Sequence, residues 1–538
     1  MIALGIHGGV TIHQHDPGAA LVIDGKVVAV CEEERYTRIK QSRGHFPTRS
    51  IRACLRLANI RFEDIDVVVS PGETYKDYAA VLESYLRHTF GGVKRIELVH
   101  HQLAHLAGAF YGSDFDEAAC LSLDGFGDGL SGVLGRATRK GGIEILERRP
   151  TSNSLGTFYE LLTSYLGFDP GDEYKVMGLA PYGRPIYDLS AITRVTTDNF
   201  DIDQTFFRSD PPLRSPFEPQ FGPSLPALLG QPRRLPGSEL TTFYKDVAAS
   251  AQAAFEACLS AALLRLNGLA PSSKLVLSGG CALNCTAVGQ VITSGQYDDL
   301  YVGPGSSDRG LPLGCAYLGA AMLGDTPQPL PHAYMGSEYG NDSIRSELIA
   351  NGIAFRHVDD VAEAAAKLLD HQKIIGWHQG RSECGARALG SRSILASAAD
   401  PGMKDKLNAR IKFREEFRPF APAVLAEEAH EVFDMAGHAS PFMTATFQAT
   451  ETWRSRIPSV VHVDGSSRVQ TVAKAANPLF HELLNNLRAL NGQPLAINTS
   501  FNVKDQAIVE TPRDALMTFF GCGLDALVVG NFVVEKAP

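Results

Sequence analysis

The chain has 538 residues, enough for two to four domains with substantial apolar cores. Hydrophobic residues make up 44% of it and charged residues 20%, which is typical of a globular protein and gives no sign of a long disordered span. The net charge of −10 argues against a broad nucleic-acid-binding surface, because phosphate contacts need clustered Lys and Arg.

The N-terminal segment Met1–Val10 has neither the basic region nor the apolar core of a signal peptide. No later stretch reaches the ~18 uninterrupted apolar residues of a membrane span, so we expect a cytoplasmic protein that binds neither membrane nor nucleic acid. The nine cysteines form no CxxC pair, which indicates reduced, mostly buried thiols.

Strand patterns occur in two sets of three. The predicted strands are Ala3–Ile6, Ala19–Ile23, Val27–Val30, Ala118–Leu123, Leu130–Arg136 and Ile143–Arg148. Asp24-Gly25 is a two-residue hairpin signal in the first set, and Lys140-Gly141-Gly142 makes a turn in the second. Two copies of this three-strand unit, each followed by helices, predict an internally duplicated α/β fold.

Two histidines and two aspartates predict a metal site. His101 and His105 are spaced i,i+4, which places both imidazoles on one face of a helix. Asp124 and Asp308 each follow an apolar strand pattern that would deliver them from a strand end. This mixture of ligands suits iron(II), manganese or zinc. Capping or core packing is the alternative for the two histidines taken alone.

Glycine turns follow two further strand patterns. Leu275–Ser278 leads into Gly279-Gly280 and a helix predicted to begin near Ala282, and Tyr301–Asp308 contains a second turn of this kind. Glycine lets the main chain approach a ligand closely, and free N–H groups at a helix start favour an anion. Steric need explains either turn by itself. Together with Asp124–Gly129 in a duplicated α/β chain, they predict an actin-like ATPase fold.

Two irregular segments suggest the domain organisation. Periodicity fails between Asp201 and Gly237, which predicts either a specificity loop or a plain surface excursion. The proline-rich run from Asp325 to Gly340 predicts a linker. We therefore expect one domain over residues 1–335 and another over residues 345–538.

The second of these domains contains a basic stretch, with ten Lys and Arg against five Asp and Glu from Lys373 to Phe420. The cations predicted to bind phosphate are Arg387, Arg392, Lys412, Arg414 and Arg418. Further on, a strand predicted from Leu495 carries Asn498, Ser500 and Asn502, which are suited to hydrogen bonds with ribose or phosphate. A local turn is the alternative role for these three residues.

Taken together, the motifs resemble the O-carbamoyltransferases that modify antibiotics and nodulation factors, and the similarity runs nearly end to end. The segments that carry it are His15-Asp16, Glu32–Arg35, His101–His105, Lys175–Gly183, Ser278–Asn284, Gly390–Ser393 and Arg418–Pro422. The resemblance implies a duplicated actin-like (RNase H-like) N-terminal domain and a YrdC-like α/β C-terminal domain. It also implies that the metal is Fe(II) and that its ligands are His101, His105, Asp124 and Asp308.

The same resemblance implies the chemistry. The C-terminal domain would make carbamoyl-adenylate from carbamoyl phosphate and ATP with Mg(II), and the N-terminal domain would transfer the carbamoyl group to a hydroxyl of a small-molecule acceptor. His15 is the expected general base, Arg418 a catalytic cation, and Lys40 the holder of an anionic group. The residues expected to bind the adenylate in the N-terminal domain are Gly127, Asp128, Ser278, Gly279, Gly280 and Asn284.

Alternatives remain for His15, which could cap a turn with Asp16, and for Lys40, which could be a solvated charge. The sequence departs from the family pattern at Ala386, where proline is usual, at Cys384, and at Asn502–Gln506, which lacks a glycine-glutamate turn. These changes affect loop rigidity more than chemistry.

Two other enzyme classes compete with this prediction. An actin-like small-molecule kinase would not need the metal-ligating set, and a tRNA threonylcarbamoylation enzyme would call for a basic surface. A hydrogenase-maturation carbamoyltransferase would need CxxC pairs, and a non-catalytic scaffold would have no reason to keep a metal site. We expect a homodimer, the commonest oligomer.

Overall fold

The computed structural model describes residues 1–9, 14–208 and 220–536. These residues form two compact units, one made of Met1–Asp114 and Gly303–Pro538 and the other of Phe115–Val302. This division differs from the predicted boundaries at residues 335 and 345, because the N-terminal segment packs in one unit with the C-terminal sheet.

The N-terminal segment builds a five-stranded sheet in the order β3-β2-β1-β4-β5. Its elements are strands β1 (Ile2–His7), β2 (Gly18–Ile23), β3 (Lys26–Glu32), β4 (Val67–Pro71) and β5 (Ile96–Val99), and helices α1 (Glu33–Thr37), α2 (Thr48–Ala58), α3 (Tyr78–Phe90) and α4 (His101–Gly112). The first three strands are antiparallel, whereas β4 and β5 run parallel to β1. Asp24 and Gly25 both adopt positive φ between β2 and β3, as the hairpin signal predicts.

The Phe115–Val302 unit repeats this arrangement, with a sheet in the order β12-β11-β6-β7-β8. Its elements are β6 (Glu117–Gly127), β7 (Leu130–Thr138), β8 (Gly142–Pro150), α5 (Leu155–Tyr165), α6 (Glu173–Leu179), β9 (Thr193–Val195), β10 (Phe200–Ile202), α7 (Ser224–Leu229), α8 (Thr242–Leu269), β11 (Lys274–Ser278), α9 (Cys285–Thr293) and β12 (Asp299–Val302). β6, β7 and β8 are antiparallel, and β11 and β12 run parallel to β6. The shared strand order confirms the predicted duplicated, actin-like α/β fold.

Within this unit, α8 is long and apolar enough to cross a membrane by length and composition, but 67% of its most apolar window is buried inside the protein. A buried core helix meets the same criteria, so this helix does not indicate a membrane protein. Residues 209–219, which belong to the predicted specificity loop at 201–237, lie outside the described residues.

The chain then returns to the first unit through α10 (Leu311–Met322), which packs against β1 and α4. Gly314 permits the close contact with α4, because a Cβ there would lie 1.9 Å from the carbonyl oxygen of Ala104. The predicted linker is irregular but partly buried. Leu330 N donates to Gly112 O, and Met335 O accepts from Val30 N.

The remainder of the unit is a mixed α/β layer. Its elements are α11 (Asn341–Ala350), β13 (Arg356–His357), α12 (Val361–Asp370), β14 (Ile375–His378), β15 (Arg392–Ala396), α13 (Met403–Leu407), β16 (Ala421–Leu425), α14 (Ala429–Val432), β17 (Phe433–Asp434), β18 (Thr446–Ala449), α15 (Glu451–Arg454), β19 (Ser466–Arg468), β20 (Gln470–Val472), α16 (Pro478–Asn491), β21 (Leu495–Ser500), α17 (Pro512–Phe520), β22 (Ala526–Val529) and β23 (Phe532–Glu535). Eight strands pair in the order β13-β23-β22-β14-β15-β21-β16-β20, and three form a small second sheet, β17-β18-β19.

The core of this layer lies between its strands and helices. Helices α12 and α16 pack together, and Trp377 of β14 and Phe480 of α16 are completely buried there. The α/β class predicted for the C-terminal part is thereby confirmed. All nine cysteines are free, and seven of them are buried, in line with the expected reduced thiols.

Candidate metal centre and phosphate site

Helix α4 presents the two histidines. It begins at His101, and the side chain of the preceding His100 caps it by accepting from Gln102 N at 3.1 Å. His101 and His105 are buried, and their Nε2 atoms lie 3.0 Å apart. The sequence prediction that one helix face holds both imidazoles is correct in geometry, and neither ring is exposed enough to be a surface charge.

Asp308 completes a three-ligand cluster in the same unit. It opens the 3-10 turn Asp308–Gly310 just before α10, and its Oδ1 lies 3.5 Å from His101 Nε2 and 3.4 Å from His105 Nε2. Ligand atoms about 2.1 Å from one ion are about 3 Å apart when they meet at a right angle. Two imidazole nitrogens and one carboxylate oxygen at these separations fit a divalent transition metal.

Two more histidines lie beside this cluster. The Nε2 atoms of His7 and His15 are each 3.8 Å from Asp308 Oδ2, and His15 Nδ1 is 3.1 Å from Asp16 Oδ2. Burial lowers the pKa of His7 to about 4. Burial also opposes protonation of His15, but Asp16 and Asp308 outweigh it and raise its pKa to about 9. Asp16 and Asp308 thus favour the protonated ring, and a role as general base requires that their combined effect on the His15 pKa be offset.

A buried charge cluster that sequence analysis missed lies next to Asp308. Arg309 NH1 contacts Glu32 at 3.0 Å and Glu34 at 2.8 Å, while its NH2 contacts Glu34 at 3.1 Å and Asp16 at 2.9 Å. We call Asp16, Glu32, Glu34 and Arg309 the Arg309 cluster. Burial raises the pKa of Glu32, whereas Arg309 overcomes burial to lower that of Glu34. The family motif Glu32–Arg35 was the only signal of it in the sequence.

Asp124, the predicted fourth ligand, belongs to the Phe115–Val302 unit. It lies near the C-terminal end of β6, and its Oδ1 accepts from Gly280 N at 2.9 Å. Gly279 has φ +83°, and a Cβ there would lie 2.1 Å from Leu123 O, so the glycine is required for this turn. That Asp124 binds the metal stays a prediction.

The adenylate-binding residues predicted in this unit surround the same turn. Ser278 ends β11 and is buried, and Gly127 pairs with Leu130 where β6 turns into β7, with Asp128 in positive φ between them. The helix expected near Ala282 begins only at Cys285, because the Asn284 side chain caps it by accepting from Ala287 N at 3.1 Å. The predicted start near Ala282 falls in the 3-10 turn Gly280–Leu283, and the α-helix itself begins three residues later.

Asn284 also belongs to a buried amide network that was not predicted. Its Nδ2 donates to Gln252 Oε1 at 3.0 Å, and that oxygen also accepts from Tyr159 OH at 2.7 Å. Gln252 Nε2 in turn donates to Glu256 at 2.7 Å. Adenylate binding by Asn284 remains a prediction, and the network holds its side chain in a fixed orientation.

In the C-terminal sheet, three predicted phosphate residues converge on one point. Lys412 is buried, and its Nζ donates to Asn502 Oδ1 at 2.9 Å, to Asn502 O at 3.0 Å, and to the main chain of Ser500. Burial, together with the charges of Arg414 and Arg418, holds the pKa of Lys412 well below its ordinary value. Like charges gathered in this way favour binding of an anion. We call Lys412, Arg414 and Arg418 the Lys412 cluster.

The main chain at this cluster is unusual. Lys412 ends a π-helical turn, Asn408–Lys412, and Phe413 follows with φ +45° and an exposed ring. π turns and non-glycine residues in positive φ concentrate at functional sites. Arg414 is oriented by Asn408 Oδ1 at 3.0 Å and lies over the Phe420 ring at 4.3 Å. Arg418 pairs with Glu415 at 3.5 Å.

Arg392 is placed differently from the other predicted phosphate residues. It is completely buried, and its guanidinium donates to main-chain oxygens of Gln379, Gly380, Ser337 and Glu510. These bonds make Arg392 part of the framework, and a phosphate contact would require that some of them be exchanged. Asn498 is likewise buried, with its Nδ2 donating to Gln470 Oε1 at 2.7 Å and to Ala388 O at 3.2 Å.

Two predicted site residues lie on loops. Arg387 is half-buried in the loop that precedes β15. Lys40 is exposed, but its neighbour Ile39 forms a β-bridge with Gln506, whose carbonyl accepts from Asn502 Nδ2 at 2.7 Å. The Lys40 turn is thus paired with the Asn502–Gln506 segment, in which Asn502 accepts from Lys412.

Two family models match the chain. One, described as Carbamoyltransferase N-terminus, matches residues 6–97 and 76–317, and the other, described as Carbamoyltransferase C-terminus, matches residues 366–536. Nodulation protein NolNO of Sinorhizobium fredii (strain NBRC 101917 / NGR234) is 37% identical over 579 residues, covering 100% of this chain and 83% of the relative. Nodulation protein NolO of Bradyrhizobium diazoefficiens is 37% identical over 461 residues, covering 82% and 79%.

Solved structures match only distantly. The (R)-2-hydroxyglutaryl-CoA dehydratase component A of Acidaminococcus fermentans is 13% identical with a TM-score of 0.33, covering 60% of this chain and 99% of its own. Full-length HypF in a phosphate- and nucleotide-bound form is 14% identical with a TM-score of 0.34, covering 61% and 56%. Identity this low transfers no function.

Proposed function

We propose a two-step reaction for this chain, which belongs to the carbamoyltransferase family. The C-terminal sheet activates carbamoyl phosphate with ATP, and the N-terminal part transfers the carbamoyl group to a hydroxyl of a small natural-product acceptor. The observation that carries the proposal is that one unit contains both a cluster of His101, His105 and Asp308 that suits a metal ion and a group of cations around the buried Lys412.

The activation step requires neutralised phosphates. Carbamoyl phosphate, ATP and one water give carbamoyl-adenylate, inorganic phosphate and pyrophosphate, so negative charge accumulates near the reacting atoms. Arg414 and Arg418 supply two positive charges there, and the buried Lys412, whose pKa is lowered by burial and by these two charges, regains its own charge when an anion binds beside it. Bidentate arginine donors also fix the orientation of phosphate oxygens.

The transfer step requires a poised hydroxyl and a good leaving group. The acceptor oxygen attacks the carbamoyl carbon, and AMP leaves. His15 is placed to receive the hydroxyl proton, with Asp16 orienting its ring through the 3.1 Å contact to Nδ1. A metal held by His101, His105 and Asp308, with Asp124 as the further proposed ligand, would supply Lewis-acid polarisation and neutralise Asp308.

The proposal is tested by incubating the protein with ATP, Mg(II), Fe(II) and carbamoyl phosphate without any acceptor. We expect carbamoyl-AMP by mass spectrometry, with pyrophosphate and phosphate in equal amounts. An Arg418→Ala variant, which removes one cation of the Lys412 cluster, should form no carbamoyl-AMP and release no pyrophosphate. Release of ADP in place of pyrophosphate would contradict adenylation and favour the kinase alternative.

A further inference from the structure

The Arg309 cluster touches three structures with separate roles. Arg309 directly follows Asp308 in the turn Asp308–Gly310, and only 12% of its side chain is exposed. Three carboxylates fix its guanidinium at distances of 2.8 to 3.1 Å. A guanidinium held by several partners has little freedom to move, so the main chain that carries Asp308 is held with it.

The first connection runs to His15. Asp16 uses one oxygen for Arg309 at 2.9 Å and the other for His15 Nδ1 at 3.1 Å. Asp16 itself has φ +54°, a strained value for a residue other than glycine. Arg309 therefore stabilises the one conformation of Asp16 that orients the His15 ring.

The second connection runs to the C-terminal sheet. Glu32 accepts two hydrogen bonds, one at Oε2 from Arg309 at 3.0 Å and one at Oε1 from the main-chain N–H of Gly385. Gly385 has φ +97°, and a Cβ there would lie 2.1 Å from Pro304 O, so its main chain is tightly confined. Arg387, a predicted phosphate residue, lies two residues further along.

The loop that begins at Gly385 is tied down a second time. Arg35, buried beside Glu32 at 3.6 Å, donates to Glu383 O at 3.3 Å. The Glu383 carboxylate accepts from Leu389 N at 2.7 Å. The start of the Glu383–Leu389 segment is thereby linked through Arg35 to Glu32, and its end is bonded back to the Glu383 side chain.

We propose that Arg309 is a positioning residue for both steps of the reaction, with Glu32 as the bridge that couples the metal ligand Asp308 to the Gly385 loop. This inference rests on the proposed function for its consequences in catalysis, but the coupling itself is a property of the folded protein. A bridge of this kind couples the positions of two residues, because a shift of the turn that carries Asp308 displaces the loop that carries Arg387.

Three substitutions separate the bridge from general loss of charge. Arg309→Lys keeps one positive charge but loses the fork that serves three carboxylates. Glu32→Gln has one acceptor oxygen and cannot serve both Arg309 and Gly385. Glu34→Gln is the matched control, because its oxygen can still accept from Gln41 N, as Glu34 does at 2.7 Å, while its contact with Arg309 is weakened.

The first measurement is a titration with Co(II) alone, followed by its visible absorption. We expect the dissociation constant to rise about 10- to 100-fold in all three variants, as for other residues that orient metal ligands. Thermal melting identifies any variant that fails to fold. An unchanged Co(II) affinity in folded Arg309→Lys would overturn the positioning role.

The second measurement is hydrogen exchange of peptides that span Glu383–Ser391. Co(II) should slow their exchange in the wild type and in Glu34→Gln, but not in Glu32→Gln. In kinetic assays, only Glu32→Gln and Arg309→Lys should raise the KM for carbamoyl phosphate. If Co(II) does not change the hydrogen-exchange rate of these peptides in the wild type, the bridge is refuted. Absence of carbamoyl-AMP with intact Co(II)-dependent exchange would refute the proposed function and leave the bridge standing.

Discussion

The candidate metal ligands His101, His105 and Asp308 and the Lys412 cluster lie in the same unit but have opposite electrostatic character. Around Asp308, two imidazole nitrogens lie within 3.5 Å of a carboxylate oxygen, an arrangement that a cation stabilises. Around Lys412, cations gather in a buried place, which an anion stabilises. Each arrangement suits a ligand of the opposite charge.

The two sites also differ in how their residues are held. His101 and His105 come from one helix, so a single element sets their geometry. Lys412 depends on a π turn, on Ser500 and Asn502 after β21, and on nearby arginines. The geometry of the histidine pair is therefore set locally, whereas that of the Lys412 cluster depends on contacts between segments that are far apart in the chain.

The largest effect is expected from His101→Ala. Loss of one of three clustered candidate ligands should reduce carbamoyl transfer at least about 10³-fold and abolish Co(II) binding, with the rate of adenylate formation at saturating carbamoyl phosphate unchanged. His100→Asn is the matched control, because asparagine also caps helices. Loss of adenylate formation in His101→Ala would show that the two regions do not carry separate steps.

The converse is expected from Lys412→Met. Removing a cation from the proposed phosphate site should slow adenylate formation about 10²- to 10³-fold, since it removes one preorganised electrostatic contact. Co(II) affinity should stay as in the wild type. Lys406→Met, which removes an exposed lysine paired with Asp400, should change neither property. Rapid adenylate formation by Lys412→Met would place the activation chemistry elsewhere.

Substitutions at Arg392 and Arg387 sharpen the comparison within the C-terminal sheet. Arg392→Met leaves several buried carbonyls without a donor, and we expect it to lower the free energy of unfolding by about 3 kcal/mol or more. Arg387→Met should leave urea unfolding nearly unchanged and raise the KM for carbamoyl phosphate. If Arg392→Met unfolds normally but loses only substrate affinity, its framework role is wrong.

The smallest effect is expected from Lys40→Ala. The side chain is exposed, so its charge is screened by solvent and its removal should change kcat/KM for the transfer reaction by less than about tenfold. The measurement compares kcat/KM for carbamoyl transfer by Lys40→Ala and by the wild type, each at low and at high salt. A loss of several hundredfold would establish Lys40 as a catalytic residue in spite of its exposure.

Local patterns in the sequence predicted much of the fold. The Asp24-Gly25 turn and the apolar runs on either side of it located β2 and β3 to within two residues, because hairpin geometry is decided by neighbouring residues. The i,i+4 spacing of His101 and His105 was equally local. The duplication followed from finding the same strand pattern twice.

Features that depend on distant partners could not be predicted. Nothing near Arg309 in the chain shows that Glu32 and Glu34 will surround it, since these residues are 275 or more positions away. In the sequence, Arg392 and Arg414 were equally good candidates for phosphate binding. Only the fold shows that the Arg392 guanidinium donates to main-chain carbonyls, whereas Arg414 donates to the Asn408 side chain. The compact units likewise departed from the boundaries at residues 335 and 345, because residues of the N-terminal segment bond to loops of the C-terminal part.

That packing has a consequence for how the gene can be divided. Arg381 donates to Val28 O at 2.8 Å and to Met335 O at 2.7 Å, and Arg38 donates to Ala507 O at 2.9 Å. A fragment that stops at the proline-rich run would expose Glu32, Arg35 and Arg38 to water, because their partners Gly385, Glu383 and Ala507 lie in the other half. Two separately expressed halves should therefore be poorly soluble alone and recover when co-produced, so that a split of this enzyme into two genes would yield an obligate pair.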